Sequence, residues 1–293
     1  MTGYGPVRKA TARRAPRRTD ATLVHGPWER SALRTTLLDC LEGLESRRLL
    51  PADHLAVLCV GSVARGWAND SSDYDFNIVA HGPWHGPSVR TIPVPLRPAS
   101  VPAVVEYVDG RRWEIKYWVD VQVDQMLAKV AWDRFEEGAS TARALTDAEE
   151  LFLERLATCL TLSGTSWVRS RRQELGETAF RAFVTARSLA EADSSIEDAL
   201  GQLAADDVDS AVLSARKAFG HVVDALLESH GAYGSPIPKW RARRLREVRP
   251  SQLPYQEYWA VETMRDFDPR APDAWVTRTV QRCRDLSIEV EIH

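Results

Sequence analysis

The spacing of apolar residues changes period along the chain. From Ser31 onward Leu33, Leu37, Leu38, Leu41 and Leu44 recur three and four apart, which predicts an amphipathic helix ending before Pro51. His54–Val60 is a short, nearly continuous apolar run of strand length, bounded by Pro51 and Gly61. A short helix is expected over 63–68, then the polar cluster Asn69–Ser72, and then Asp73–Ala80 with strand alternation. Residues 81–102 carry six prolines and two glycines, which excludes regular structure for most of that stretch. Val104–Val108 and Arg112–Trp118 flank Asp109-Gly110, the dipeptide of tight primed turns, and predict a hairpin. Beyond about residue 120 helical patterns take over, near 120–136, 146–163, 172–192 and 207–230, with no strand pattern until the end of the chain. In the last helix Val208, Val212, Ala215, Phe219, Val222 and Leu226 form a stripe that reads as bundle core, with Gly231 as its stop.

These periods divide the chain into a basic, Arg-, Thr- and Pro-rich tail at 1–20, expected to be disordered, a mixed-sheet α+β domain at 21–140 and a helical bundle at 141–293. A length of 293 residues agrees with about two domains. The composition, 44% hydrophobic and 27% charged, is that of a soluble globular chain. A net charge of −3 gives no broad basic surface for nucleic acid or an anionic membrane. No apolar run approaches the roughly 18 residues that span a bilayer. The basic residues from Arg8 to Arg18 have no apolar core behind them, so a secretory signal is not expected and the cytoplasm is the default location. Cys40, Cys59, Cys159 and Cys283 share no CxxC spacing, and neither a zinc site nor a disulfide framework is expected.

The chemistry concentrates between Val60 and Val79. A strand ends at Gly61-Ser62 and a helix begins directly after it, an arrangement in which Gly61 permits close backbone approach and Ser62 offers a hydroxyl and an N–H to phosphate. Asp73 and Asp75 are one residue apart on an expected strand, so both carboxylates face the same way. Their separation along the strand, about 6.6 Å, suits carboxylates that bracket metal ions about 3.5–4 Å apart. Mg²⁺ fits, since it takes oxygen ligands and shares them with substrate phosphates. For the third carboxylate the hairpin offers Glu106 and Glu114; Glu114, set between Trp113 and Ile115, is preferred and is also a candidate general base. Arg65 is read either as a phosphate ligand or as a structural salt-bridge partner. Trp67 and Trp84 are close enough in sequence to line a substrate pocket, and Arg241, Arg243, Arg244 and Arg246 read as an exposed helix face.

Gly-Ser, a short interval, Asp-x-Asp on a strand and a later acidic strand residue together resemble the nucleotidyltransferase superfamily that includes DNA polymerase beta. The segments Gly61–Gly66 and Ser72–Asp75 are similar to its small bacterial members, the aminoglycoside and lincosamide nucleotidyltransferases and the minimal nucleotidyltransferases paired with helical proteins. Ala215–Tyr233 followed by Pro236-Ile-Pro-Lys-Trp-Arg241 is similar to the C-terminal bundles of those enzymes, which implies that Lys239 faces the nucleotide phosphates. The resemblance implies Mg²⁺, two ions with Mn²⁺ as a substitute, held by Asp73, Asp75 and Glu114. It implies ATP or another nucleoside triphosphate bound near Gly61, Ser62, Arg65 and Lys239. The acceptor it implies is a small hydroxyl-bearing molecule; a protein acceptor, or a nucleotide sensor that retains the scaffold without catalysis, are the competing readings. Nucleic acid and membrane partners are not expected, and the oligomeric state is left open.

Overall fold

A computed structural model describes residues 38–138 and 144–293. The expected tail at 1–20 and the start of the first helix lie outside the described residues. The fold is α+β: one six-stranded mixed sheet, followed by helices.

Helix α1 (described over 38–46) leads to β1 (His54–Val60), a single helical turn α2 (Gly61–Ala64), β2 (Tyr74–Ala80), β3 (Arg90–Pro93), β4 (Ser100–Val108) and β5 (Arg111–Val119). The β4–β5 hairpin turns at Asp109 and Gly110 with φ of 50° and 76°, the conformation the Asp-Gly pair predicts. The sheet order is β3-β4-β5-β2-β1-β6, and β2–β5 is its parallel pairing.

Strand β6 (Leu160–Ser163) corrects the expectation of an unbroken helix over 146–163. The helix stops at Thr158, and after Cys159 the chain pairs with β1 over Leu160–Ser163. Helix α3 (Asp120–Lys129), α4 (Trp132–Glu136), α5 (Asp147–Thr158) and α6 (Thr165–Glu177) precede the long helices α7 (Phe180–Ala204) and α8 (Val208–Ser229). The expected helix at 172–192 is thus two helices, broken at Thr178–Ala179. A 3₁₀ turn (Pro238–Trp240), α9 (Arg241–Val248), α10 (Tyr255–Glu262) and α11 (Pro272–Ile288) complete the chain, and no strand forms at its end among the described residues. No helix among the described residues is long and apolar enough to cross a membrane.

Period-two alternation gives the sheet two distinct faces. Tyr74, Phe76, Ile78, Trp113, Ile115 and Tyr117 pack on Cys40 and Leu44 of α1. On the other face Leu58, Val60, Val79 and Trp118 pack on Phe152 and Leu156 of α5 and on Phe180 and Phe183 of α7. In a separate core Ala192 and Ala199 of α7 meet Ala211, Ala215 and Ala218 of α8, small residues that let the two helices approach closely, and Val276, Val280 and Cys283 of α11 pack on them. Gly231 ends α8 as expected: its N–H and that of Ala232 bond to Glu228 O and Leu227 O at 2.8 and 2.9 Å, with φ of 75° at the glycine.

Candidate active site

Strand register decides which acids share a face. Asp75 and Glu114 are direct partners in the parallel β2–β5 pair, so both side chains leave the sheet on the α5 side. Glu106 pairs with Trp113, whose side chain belongs to the α1 face, and is therefore turned away from Asp75. Asp73 immediately precedes β2 rather than lying within it, because the strand starts at Tyr74. Arg112, two residues before Glu114 on the same face, joins Asp73 to the pair: its guanidinium donates to Asp73 Oδ2 at 2.7 Å and Glu114 Oε2 at 3.0 Å.

Gly61 closes the site from β1. It has φ of +75°, and a Cβ on it would stand 2.5 Å from Asp75 Oδ2. The left-handed conformation and the missing side chain are both needed for the backbone to lie against that carboxylate. Ser62 follows in α2, which has four residues where a longer helix was expected over 63–68; Trp67 N donates to Ser62 O at 2.8 Å and ends the turn. Arg65 leaves that turn towards the helical half, donating to Tyr233 O at 2.9 Å and lying 4.8 Å from the Trp67 ring centroid.

The carboxylates are ringed by cations. Glu114 Oε1 accepts from Arg90 at 2.5 Å and Lys116 at 3.0 Å, and Arg155 of α5 stands 3.9 Å from Asp75 Oδ2. Burial alone would raise Glu114, but the charge and hydrogen bond of Lys116, with Arg112 and Arg90, outweigh it and hold the carboxyl at about 2. Asp75 goes the other way: burial raises its pKa, and Arg155 and Lys116 only partly oppose that. Asp73, Asp75 and Glu114 offer the hard oxygen donors that a divalent ion takes, but Arg90, Arg112, Lys116 and Arg155 already compensate them, and such an ion would have to displace those side chains.

Of the cavities that border this corner, one of about 520 Å³ is lined by Asp73 and Arg112, and two others share Arg155 in their walls. The smaller, about 40 Å³, lies between Gly61, Arg65, Trp67, Glu154 and Arg244. The larger, about 260 Å³, lies on the β5 side beside Asn77, Lys116 and Trp118. Lys239 lines neither; it is exposed, with Nζ 5.2 Å from the Trp240 ring centroid. Trp67 is buried, 5.4 Å from Trp240, and donates to Glu247 at 2.5 Å. Trp84 stacks on Tyr117 at 4.2 Å on the opposite sheet face and so does not reach the site.

The arginine run of α9 is divided: Arg243 and Arg246 are exposed as expected, whereas Arg241 and Arg244 turn to α8. Arg241 and Arg244, one turn apart, both bind Asp224 of α8, and Arg244 and Asp224 are each 1% exposed. An acid inside the apolar stripe of α8 demands such partners, a signal present in the sequence at Asp224.

A second acidic group lies deeper. Among the described residues Glu150, Glu154 and Glu228 are buried with ligand atoms within 4.8 Å of one another, a set that could hold a metal ion. Arg187 pairs with Glu150, and Ser188 donates to Glu228 at 2.7 Å. Burial raises Glu154 to about 7 and Glu228 to about 8, the latter helped by Asp224. Arg187 lies between Glu150 and Glu228, and Arg65, Arg155 and Arg244 partly oppose the effect of burial at Glu154.

No protein-family profile matches the sequence, and no curated protein matches it. Among solved structures the chain is similar to a nucleotidyltransferase-like protein from Exiguobacterium sibiricum, with 10% sequence identity and a TM-score of 0.47 over 86% of this chain and 75% of the other.

Proposed function

We propose that this chain is a metal-dependent nucleotidyltransferase that moves a nucleoside monophosphate, AMP from ATP, to a hydroxyl of a small-molecule acceptor such as an antibiotic or a natural-product intermediate. The observation that carries this reading is the pairing of Asp75 with Glu114 on one sheet face, with Gly61 pressed against Asp75. The order of the motif in the sequence, Gly-Ser before Asp-x-Asp before a strand glutamate, supports it independently.

In this reading Asp73, Asp75 and Glu114 hold Mg²⁺, with Mn²⁺ as a substitute. A bound divalent ion supplies neutralisation of the triphosphate and activation of the acceptor hydroxyl. Gly61 and Ser62 lie along the phosphates, Arg65 and Arg155 flank them, and Lys239 adds charge from the helical half. The acceptor oxygen attacks the α-phosphorus and forms an O–P bond. The bond from that phosphorus to the oxygen bridging to the β-phosphate breaks, and pyrophosphate leaves with the electron pair. The hydroxyl proton passes to a carboxylate of the set. Positioning and charge compensation account for most of the acceleration, as in other phosphoryl-group transfers.

The test is a screen of α-labelled nucleoside triphosphates against candidate hydroxyl acceptors, with Asp73→Asn/Asp75→Asn as control. Label should appear on an acceptor with release of pyrophosphate, and the double variant should transfer none. Equal transfer by the variant would remove the proposed centre.

A further inference from the structure

The segment between α8 and α9 forms part of both cavities that Arg155 borders. Tyr233, Gly234 and Ile237 line the smaller, and Pro236 and Ile237 line the larger. The chain has no regular structure there between Ser229 and Pro238, so its polar groups depend on partners from other elements. Arg244 of α9 donates to Ala232 O at 3.1 Å, Glu154 of α5 accepts from the N–H of Gly234, and Arg187 of α7 donates to Ser235 Oγ at 2.7 Å. Those three ties come from helices. A fourth comes from the turn that begins with Gly61 and Ser62: Arg65, at its end, donates to Tyr233 O at 2.9 Å across 168 positions of the chain.

Arg65 is held on a second side as well. Its guanidinium carbon lies 4.8 Å from the centroid of the Trp67 ring. That ring is buried, stands 5.4 Å from Trp240 and donates through Nε1 to Glu247 of α9 at 2.5 Å. Two neighbouring residues of the phosphate turn therefore reach the same stretch of the helical half. To bind a phosphate, the Arg65 guanidinium would have to leave both the Trp67 face and Tyr233 O, which has no other donor among the described residues.

We infer that Arg65 is a positioning residue and not a phosphate ligand: it latches the segment 232–237 to the Gly61–Ala64 turn, and so sets the wall that a nucleotide meets beside Gly61. The nucleotide in this statement rests on the nucleotidyl-transfer reading; the latch does not. Arg65 then flanks the phosphates without touching them, and their charge is left to Arg155 and Lys239. A guanidinium suits the task because its plane lies on the indole while its edge donates to the carbonyl, a combination that an ammonium does not reproduce.

The experiment compares the full parent chain with Arg65→Lys and Arg65→Ala in two measurements: amide hydrogen exchange over 230–240 without nucleotide, and titration of ATP with Mg²⁺. The lysine variant keeps a cation at the position and so remains testable even where the alanine variant fails to fold. Exchange at Gly234 and Ile237 should quicken about tenfold in both variants, the scale of one hydrogen bond to a charged group, while the core of α8 exchanges as in the parent. ATP should bind both variants more weakly than the parent, by about fivefold or more and to a similar extent. A phosphate ligand would behave differently: exchange without nucleotide would stay as in the parent, and lysine, itself a good phosphate partner, would restore ATP affinity. An arginine with a purely structural role would quicken exchange and leave ATP affinity unchanged. Either of those results would overturn the inference. Absence of Mg²⁺-dependent ATP binding by the parent would instead sink the nucleotidyl-transfer reading. The latch would then stand or fall on exchange alone, with unchanged rates at Gly234 and Ile237 in the lysine variant counting against it.

Discussion

Asp75 and Glu114 stand side by side across the parallel β2–β5 pair, yet their surroundings drive them apart electrostatically. Glu114 is gripped by Arg90, Arg112 and Lys116 and held at about 2, whereas Asp75, with Arg155 at 3.9 Å, is raised by burial. Asp75 therefore offers the less firmly held oxygens of the pair to an arriving cation, and Gly61 leaves them room. The corner is organised around carboxylates that would repel one another without positive charge between them.

Arg112 competes for that role, since it spans Asp73 and Glu114. Arg112→Ala should tighten binding of Mn²⁺ in the absence of nucleotide by about two- to fivefold, the scale of a partly exposed ion pair. Calorimetric titration of parent and variant measures it. Unchanged or weaker binding would mean that Arg112 does not occupy the position of the cation.

Gly61→Ala combines two penalties at one atom. A left-handed conformation costs a non-glycine residue about 1–2 kcal/mol, and the new methyl would stand 2.5 Å from Asp75 Oδ2. Urea unfolding should show a loss of about that size, and Mn²⁺ affinity should fall as Asp75 is displaced. Loss of stability with unaltered metal binding would separate the turn from the site.

Much of this arrangement is legible in the chain. The β4–β5 hairpin follows from Asp109-Gly110 and the flanking alternation, and the end of α8 from Gly231. Within β5, Arg112, Glu114 and Lys116 alternate, so period two already places them on one face. The parallel pairing of β2 with β5 is not written in either strand, and only this register separates Glu114 from Glu106. The contact of Arg155 with Asp75 joins a helix to a strand distant in sequence, and the clamp of Arg241 and Arg244 on Asp224 joins two helices; local periodicity contains neither. Strand β6 was hidden because Leu160–Ser163 continues the apolar pattern of the helix before it.

The buried glutamates give the fold a pH dependence of definite sign. Glu228 is raised by burial, then by Asp224, to about 8 from an ordinary value of 4.5. Below the ordinary value both folded and unfolded chains hold the proton. Between about 4.5 and 8 the unfolded chain releases it first, so this group removes stability as pH rises through that window. Glu228→Gln should flatten the decline in stability from pH 5 to 8, read from urea midpoints at each pH. A decline as steep as that of the parent would place the titration elsewhere, with Glu154, raised by burial to about 7, as the neighbouring group to examine.

A metal–nucleotide site formed by Asp73, Asp75 and Glu114 beside Gly61 is open to a direct titration of ATP into the parent chain and Asp73→Asn/Asp75→Asn, with and without Mg²⁺. Binding by the parent should require Mg²⁺ and weaken at least about tenfold in the double variant, the scale of one to two charge-assisted contacts. Equal affinity in the two proteins, or parent binding indifferent to Mg²⁺, would contradict it.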